Sequence, residues 1–277
     1  MSYEQYRPSR FQLLPEVVKN LLIVNGIVFF ATYVLQNTYG LDLAEYFGLY
    51  NVLSEKFNYY QLVTHLFLHG SFWHLFSNMF ALWMFGNVLE NYWGGKRFLI
   101  YYMVTGLGAA LIHSAVIYFE QAQLMSAVET YLAQPNVDSF ALFAREHVPT
   151  QYLPAFNNLT AHWATDPSNL AYLEQSKLFM TQLLDLKLNI PTVGASGAVF
   201  GVLLAFGMMF PNTVIYLYFA IPIKAKYFVM LYGLFELYSG FANNPADNVA
   251  HFAHLGGMLF GFFLVKFWNK RDRKNFY

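Results

Sequence analysis

Three groups of side chains in this sequence carry chemistry for which an apolar segment has no ordinary use. Ser196 stands in "GASG", between Gly194 and Gly197. His74 and Asn78 stand in "HGSFWHLFSN", four residues apart and therefore on one face of a helix. His251 and His254 stand in "HFAHLGG". A serine hydroxyl beside an imidazole is a nucleophile with its base. Taken singly, each group also has a plainer use: Ser196 as a small residue in a helix contact, His74 with Asn78 as a hydrogen-bonded packing pair, His69 and His251 as polar residues at helix mouths. Glu236, in "GLFELYSG", reads as a side chain that reaches water or a backbone partner. The chemical reading depends on whether the elements that carry these residues bring them to one place.

Those elements belong to a chain of 277 residues that is 57% hydrophobic and 12% charged, against roughly half and a quarter in soluble proteins. Lipid is the implied solvent. A bilayer core about 30 Å thick takes roughly 20 apolar residues per helical span, and six candidates are present, near 17–36, 72–91, 97–119, 196–211, 226–241 and 250–268. The expected fold is an all-α membrane bundle of six transmembrane helices. The apolar stretch 213–223 lies between Pro211 and Pro222, too short to cross, and reads as an interfacial connector or an extension of the fourth helix. No small-residue cleavage signal follows the first apolar run, so it is expected to stay as an anchor.

Charge orients the bundle. With the N-terminus inside, Arg7, Arg10, Lys19, Lys96, Arg97, Lys224, Lys226, Lys266, Lys270, Arg271, Arg273 and Lys274 are cytoplasmic, against Lys56, Arg145, Lys177 and Lys187 outside. That asymmetry follows the positive-inside rule and puts both ends in the cytoplasm. Residues 120–190, between the third and fourth spans, are too long for a connector and carry helical periodicity in "EQAQLMSAVETYLAQ" and "NLAYLEQSKLFMTQLLDL". They read as an extracytoplasmic insert within a single membrane domain of residues 1–277, either a helical cap or a docking or gating element. The 16 basic and 16 acidic residues balance, no basic stripe or phosphate-binding loop suggests nucleic acid, and the absence of cysteine excludes disulfides and thiolate chemistry.

In this topology the second, fourth and sixth spans run from outer to inner face. Ser196 then lies about 22 Å above Pro211, His254 about 18 Å above Lys266, and His74 and Asn78 about 24 and 18 Å above Glu90, at roughly 1.5 Å per residue. All four share a level several ångströms below the outer surface. Gly197 with Gly201, and Gly257 with Gly261, form two GxxxG faces, which let membrane helices approach closely and bring Ser196 and His254 to the same end of the contact. Zinc held by His69, His74, His251 and His254 is the chemical rival, but no H-E-x-x-H motif and no carboxylate at their depth accompanies them. A transporter would place polar residues near the midplane in broken helices.

In this order and on these helices, the motifs resemble those of the rhomboid intramembrane serine proteases. "HGSFWHLFSN" is similar to that family's H-x-x-x-N, "GASG" to its G-x-S-G, and "AHLGGMLFG" to its A-H-x-x-G. The resemblance covers about 17–119 and 191–268 and leaves out 120–190. It implies Ser196 as nucleophile and His254 as general base, with no acidic third member. It also implies an oxyanion hole of His74, Asn78 and the Ser196 backbone N–H, with His69, Gly194, Gly197, Phe200 and Gly257 in support and a structural role for Glu90. No cofactor or metal is implied. The substrates would be single-span membrane proteins cut near the outer face of the bilayer, and the protein an integral multi-pass protein of a bacterial cytoplasmic (inner) membrane. The alternative is a catalytically silent rhomboid-like module that binds membrane proteins.

Two departures stand out. Phe200 takes a place where some family members have a tyrosine packed on the catalytic histidine, so stacking can survive without the hydroxyl. The family's Trp-Arg pair is not evident in "NVLSEKFNYYQ". A serine in the first turn of a helix stands near free backbone N–H groups and the positive end of the helix dipole. Gly194 would let the chain turn sharply there, and Tyr232 and Phe235 on the fifth helix would form a lateral gate.

Overall fold

A computed structural model describes residues 11–217, 220–242 and 249–274. Arg7 and Arg10 fall outside these. In chain order the helices are α1 (Glu16–Tyr39), α2 (Leu43–Phe47), α3 (Gln61–Thr64), α4 (Phe72–Ala81), α5 (Asn87–Trp93), α6 (Gly95–Ala133), α7 (Val137–His147), α8 (Leu153–Thr165), α9 (Leu170–Leu188), α10 (Ser196–Met209), α11 (Ala225–Ala242) and α12 (His251–Lys274). A hairpin of β1 (Val214–Leu217) and β2 (Ile221–Lys224) joins α10 to α11. The mostly helical architecture agrees with an all-α membrane fold, and the six apolar stretches are all helical.

Several boundaries differ from expectation for local reasons. The second stretch is two helices, α4 and α5, joined by a π turn at Leu82–Gly86 that turns Leu82, Phe85 and Gly86 into the core. The third runs on to Ala133, because residues 120–133 are strong helix formers with no glycine or proline to stop them. Among the described residues, α1 and α6 are the helices whose length and hydropathy alone suffice to cross a membrane. The stretch 213–223 is not a continuation of the fourth helix. Pro211 ends α10, and two extended strands pair Tyr216 with Pro222 and Val214 with Lys224.

The bundle closes on α10, which is apolar on every side and accordingly buried on nearly all of them. It packs against α6 and α12. A methyl group at Gly257 would collide with the Gly197 carbonyl, so α12 and α10 touch through backbone at that level. The expected pairing of two GxxxG faces holds there only. Lower down, Gly201 makes room for Thr105 of α6, and Gly261 for the Tyr101 ring, whose hydroxyl donates to the Gly201 carbonyl over 2.8 Å. Ile23, Ile27 and Phe30 on α1 and Leu231, Leu234 and Tyr238 on α11 are exposed, as side chains facing lipid would be.

Glu90 has the structural role the resemblance implies. Its two carboxylate oxygens accept from the Val17 and Val18 backbone N–H groups at 2.9 and 2.7 Å, neutralising the free amides at the start of α1. Residues 120–190 build a second cluster, in which Val128 and Tyr131 from the end of α6 pack with Phe140, Phe156, Trp163 and Met180. The Tyr131 hydroxyl and Ser176 are hydrogen-bonded inside it. One helix therefore contributes to both cores.

Candidate active site

The segment before α10 sets the position of Ser196. Leu49 and Thr192 exchange backbone hydrogen bonds at 2.9 and 2.8 Å, the Gly194 N–H donates to the His65 carbonyl at 2.9 Å, and Thr192 Oγ1 lies 2.9 Å from His113 Nε2. The chain is thus tied to both neighbours before it turns. At Gly194 φ is 130°, a conformation that side chains with a Cβ rarely adopt, and a Cβ there would stand 2.7 Å from the His74 ring. Glycine therefore permits the turn and the approach of His74 together. The helix then begins at Ser196 itself.

Ser196 Oγ lies 2.9 Å from His254 Nε2. His254 Nδ1 lies 2.8 Å from Glu236 Oε2, and His251 Nδ1 lies 2.6 Å from the same oxygen. A carboxylate only accepts, so both imidazoles carry their proton on Nδ1. In that tautomer His254 Nε2 offers a lone pair, to which the Ser196 hydroxyl donates. Phe200 lies flat on the His254 ring, with centroids 4.0 Å apart and planes 6° from parallel, and Tyr232 packs against Phe200 at 4.9 Å. The stacking survives the loss of the hydroxyl.

Glu236 corrects the sequence-based reading twice. It is 3% exposed and turns one oxygen to two imidazoles, and it is the carboxylate expected to be absent at the level of the histidines. The zinc arrangement of four histidines is not assembled. His69 and His74 pair edge-on at 5.0 Å, whereas the group of metal-type donors found among the described residues is Glu236, His251 and His254, within 4.8 Å of one another. Two hydrogen bonds account for that closeness, and the Nδ1–H protons that make them occupy the lone pairs a metal would need.

The His74 ring approaches Gly194, and Asn78, one turn further along α4, is buried. Among the described residues the Asn78 Nδ2 meets no hydrogen-bond acceptor, and a buried donor left unpaired costs about 1–3 kcal/mol. Burial, with the neighbouring His74 as a lesser cause, pushes the His69 imidazole down to about 3. His69 therefore packs against His74 as a neutral ring. A cavity beside Ser196 is lined by Thr192, His65, His113 and Ala253. His113 and Ala250 also line a second cavity, between α6, α11 and α12, that includes Glu120, Ser239 and His251. The structure thus groups Ser196, His254, Phe200, Gly197 and Gly257 around one contact, with Gly194, His74 and His69 on the adjoining loop and helix. Sequence reasoning placed Glu236 outside the site and left out Thr192 and His113.

The family model for the rhomboid domain matches residues 56–126 and 159–270. It therefore includes 159–190, which the motif resemblance left out. An uncharacterized mitochondrial rhomboid protein of Schizosaccharomyces pombe is 26% identical over 96% of this chain and 69% of its own length. The chloroplastic rhomboid-like protein 11 of Arabidopsis thaliana is 34% identical over 26% of this chain and 28% of its own length. The rhomboid-like protein 5 of the same plant is 37% identical over 22% of this chain and 19% of its own length.

Proposed function

The chain belongs to the rhomboid family of integral membrane proteins, and we propose that within it this protein is an intramembrane serine endopeptidase that cuts transmembrane segments of single-span proteins. The observation that carries the reading is the 2.9 Å contact of Ser196 Oγ with a His254 Nε2 whose ring is held in the base-competent tautomer. Ser196 attacks the peptide carbonyl while His254 takes its proton and later delivers it to the leaving amine, through an acyl-enzyme that water hydrolyses. Asn78, His74 and the Ser196 N–H receive the oxyanion. Each donor removed is expected to cost about 2.7–4 kcal/mol of transition-state stabilisation.

Six spans with both termini cytoplasmic belong to this reading, with residues 120–190 on the outer side. The short α10 supports the depth of the site: its 14 residues rise about 21 Å, short of a core about 30 Å thick, so its first residue starts below the outer surface. Water reaches Ser196 from the outer side. Tyr232 and Phe235 on α11 form the side through which a substrate helix enters and unwinds. The bacterial cytoplasmic membrane expected from the motifs gains no support from the relatives, two of which carry organelle names.

Purified protein in liposomes, given a reporter transmembrane substrate, tests the proposal. Wild type cuts and reacts with a fluorophosphonate, whereas Ser196→Ala and His254→Ala do neither. Cleavage that survives Ser196→Ala refutes the mechanism. Folded wild-type protein that binds the reporter yet takes no fluorophosphonate identifies the silent binding module instead.

A further inference from the structure

The two imidazoles that meet on Glu236 do more than pair a buried charge. A carboxylate 3% exposed within a membrane helix is costly unless its lone pairs are met by donors, and His251 alone, at 2.6 Å, would meet that need. The second bond, from His254 Nδ1 at 2.8 Å, connects the carboxylate to the serine. We propose that Glu236 is the positioning residue for the base. It fixes His254 in the Nδ1–H tautomer and carries the counter-charge for the imidazolium formed when Ser196 is deprotonated. His251, as second donor to the same oxygen, sets how much of that charge His254 feels.

The reaction this would serve is the one proposed above, and the proposal rests on that reading only for its kinetic consequences. As the Ser196 oxygen bonds to the carbonyl carbon, its proton passes to His254 Nε2. Glu236 stays ionised throughout, and the proton leaves on the amine nitrogen as the C–N bond breaks. Phe200 cannot substitute for Glu236, because a ring stacked flat at 4.0 Å fixes the imidazole plane but neither its tautomer nor the edge it turns to Ser196. The carboxylate distinguishes the nitrogens.

The titratable groups facing His254 are Glu236 from α11 and His251 from its own helix, with His74 from α4 and His113 from α6 near enough to act on it electrostatically. Tyr232 packs against Phe200, and Asp247 lies outside the described residues. Two substitutions at the carboxylate therefore have opposite signs. Glu236→Gln removes the counter-charge, so the acid limb of the pH–rate profile moves to lower pH by about 1–3 units. His251→Ala leaves the whole charge to His254, and the limb moves to higher pH.

The test uses the full chain in detergent micelles or liposomes. Imidazole ¹⁵N spectra, with the His254 signals assigned by their loss in His254→Ala, read the tautomer without any turnover. Reporter cleavage and fluorophosphonate labelling read the kinetics. Wild type is expected to show the Nδ1–H form, and Glu236→Gln a mixture with the Nε2–H form. Turnover of the Gln variant is expected to fall between about 10-fold and 10⁴-fold with KM nearly constant, the upper figure being that of a soluble triad whose carboxylate becomes an amide. Glu236→Asp, which keeps the charge, recovers part of the loss. Should the Gln variant fail to fold, Glu236→Asp and His251→Ala still carry the test. An unchanged tautomer and an unmoved acid limb in the variants that fold overturn the assignment. If the spectra shift as stated but no protein cuts or labels, the positioning role stands and the protease reading falls.

Discussion

Gly257→Ala probes the contact on which the whole site depends. The added methyl would collide with the Gly197 carbonyl, a backbone atom in the first turn of α10 with no side-chain freedom to yield. Restoring ordinary van der Waals separation requires α12 to move away from α10 by on the order of 1.5 Å. His254 lies one turn above Gly257 and moves with it, so a Ser196–His254 separation of 2.9 Å opens beyond hydrogen-bond reach. Losing the base from the transition state costs about 10²- to 10⁴-fold in rate, while overpacking costs about 1–3 kcal/mol of stability. Labelling by a fluorophosphonate and thermal unfolding, in one detergent, separate the two effects.

The control is Gly26→Ala. Gly26 lies inside α1 and a Cβ there meets no atom within 4 Å, so alanine should stabilise by about 0.5–1 kcal/mol and leave labelling untouched. If Gly257→Ala labels at the wild-type rate with an unchanged melting temperature, α10 and α12 do not meet as described, and the serine–histidine geometry does not depend on that contact.

Phe200→Ala removes the ring that lies on His254, and should cost about 3–5 kcal/mol of stability together with a loss of labelling; a folded variant with wild-type labelling would show that Phe200 does not orient the base. Chelation should leave cleavage unchanged, because the Nδ1 atoms on Glu236 are hydrogen-bond donors, and inhibition by a chelator that zinc reverses would refute this. Burial pushes the His65 imidazole down to about 4, whereas the unfolded chain titrates near 6.5. The unfolded state thus binds the extra proton and stability falls as pH falls. From pH 7 to pH 5 the loss is about 2 kcal/mol, seen as a shrinking difference between wild type and His65→Gln; a constant difference refutes it. Trp163→Ala, at a side chain 2% exposed in the second core, should cost about 3–5 kcal/mol there and speed hydrogen exchange in residues 120–190 while labelling of Ser196 persists. Global unfolding would show that the two cores are not independent.

Much of the site was legible because membrane helices convert sequence distance into height. Ser196, His254, His74 and Asn78 sit at one level by rise alone, and the small residues at 197 and 257 mark where two helices touch. The fold was legible where a proline ends a helix, as Pro211 does after α10, whereas α1 runs three residues past the expected end, to Gly40. It was less so where ends depend on tertiary packing. The helical character of 120–133 was legible, but not that it continues α6 into the second core, and the hairpin at 214–224 depends on a register between strands that no periodicity in so short a stretch specifies.

Glu236 was missed for a different reason. Its height was available: ten residues above Lys226, it lies about 15 Å from the inner end at roughly 1.5 Å per residue, close to the level of His254. An ionisable residue within a span is a functional candidate by default. What the sequence reading lacked was the partner: Gly233 and Gly240, seven residues apart, share the Glu236 side and meet Met258, His251 and Phe252 of α12, while the exposed Leu231, Leu234, Phe235 and Tyr238 form the opposite face. The side of α11 turned inward is therefore the one that holds its buried charge. That charge is satisfied by two histidines spaced one turn apart on α12, so the pairing that orients the base also fixes the rotation of the helix that carries the carboxylate.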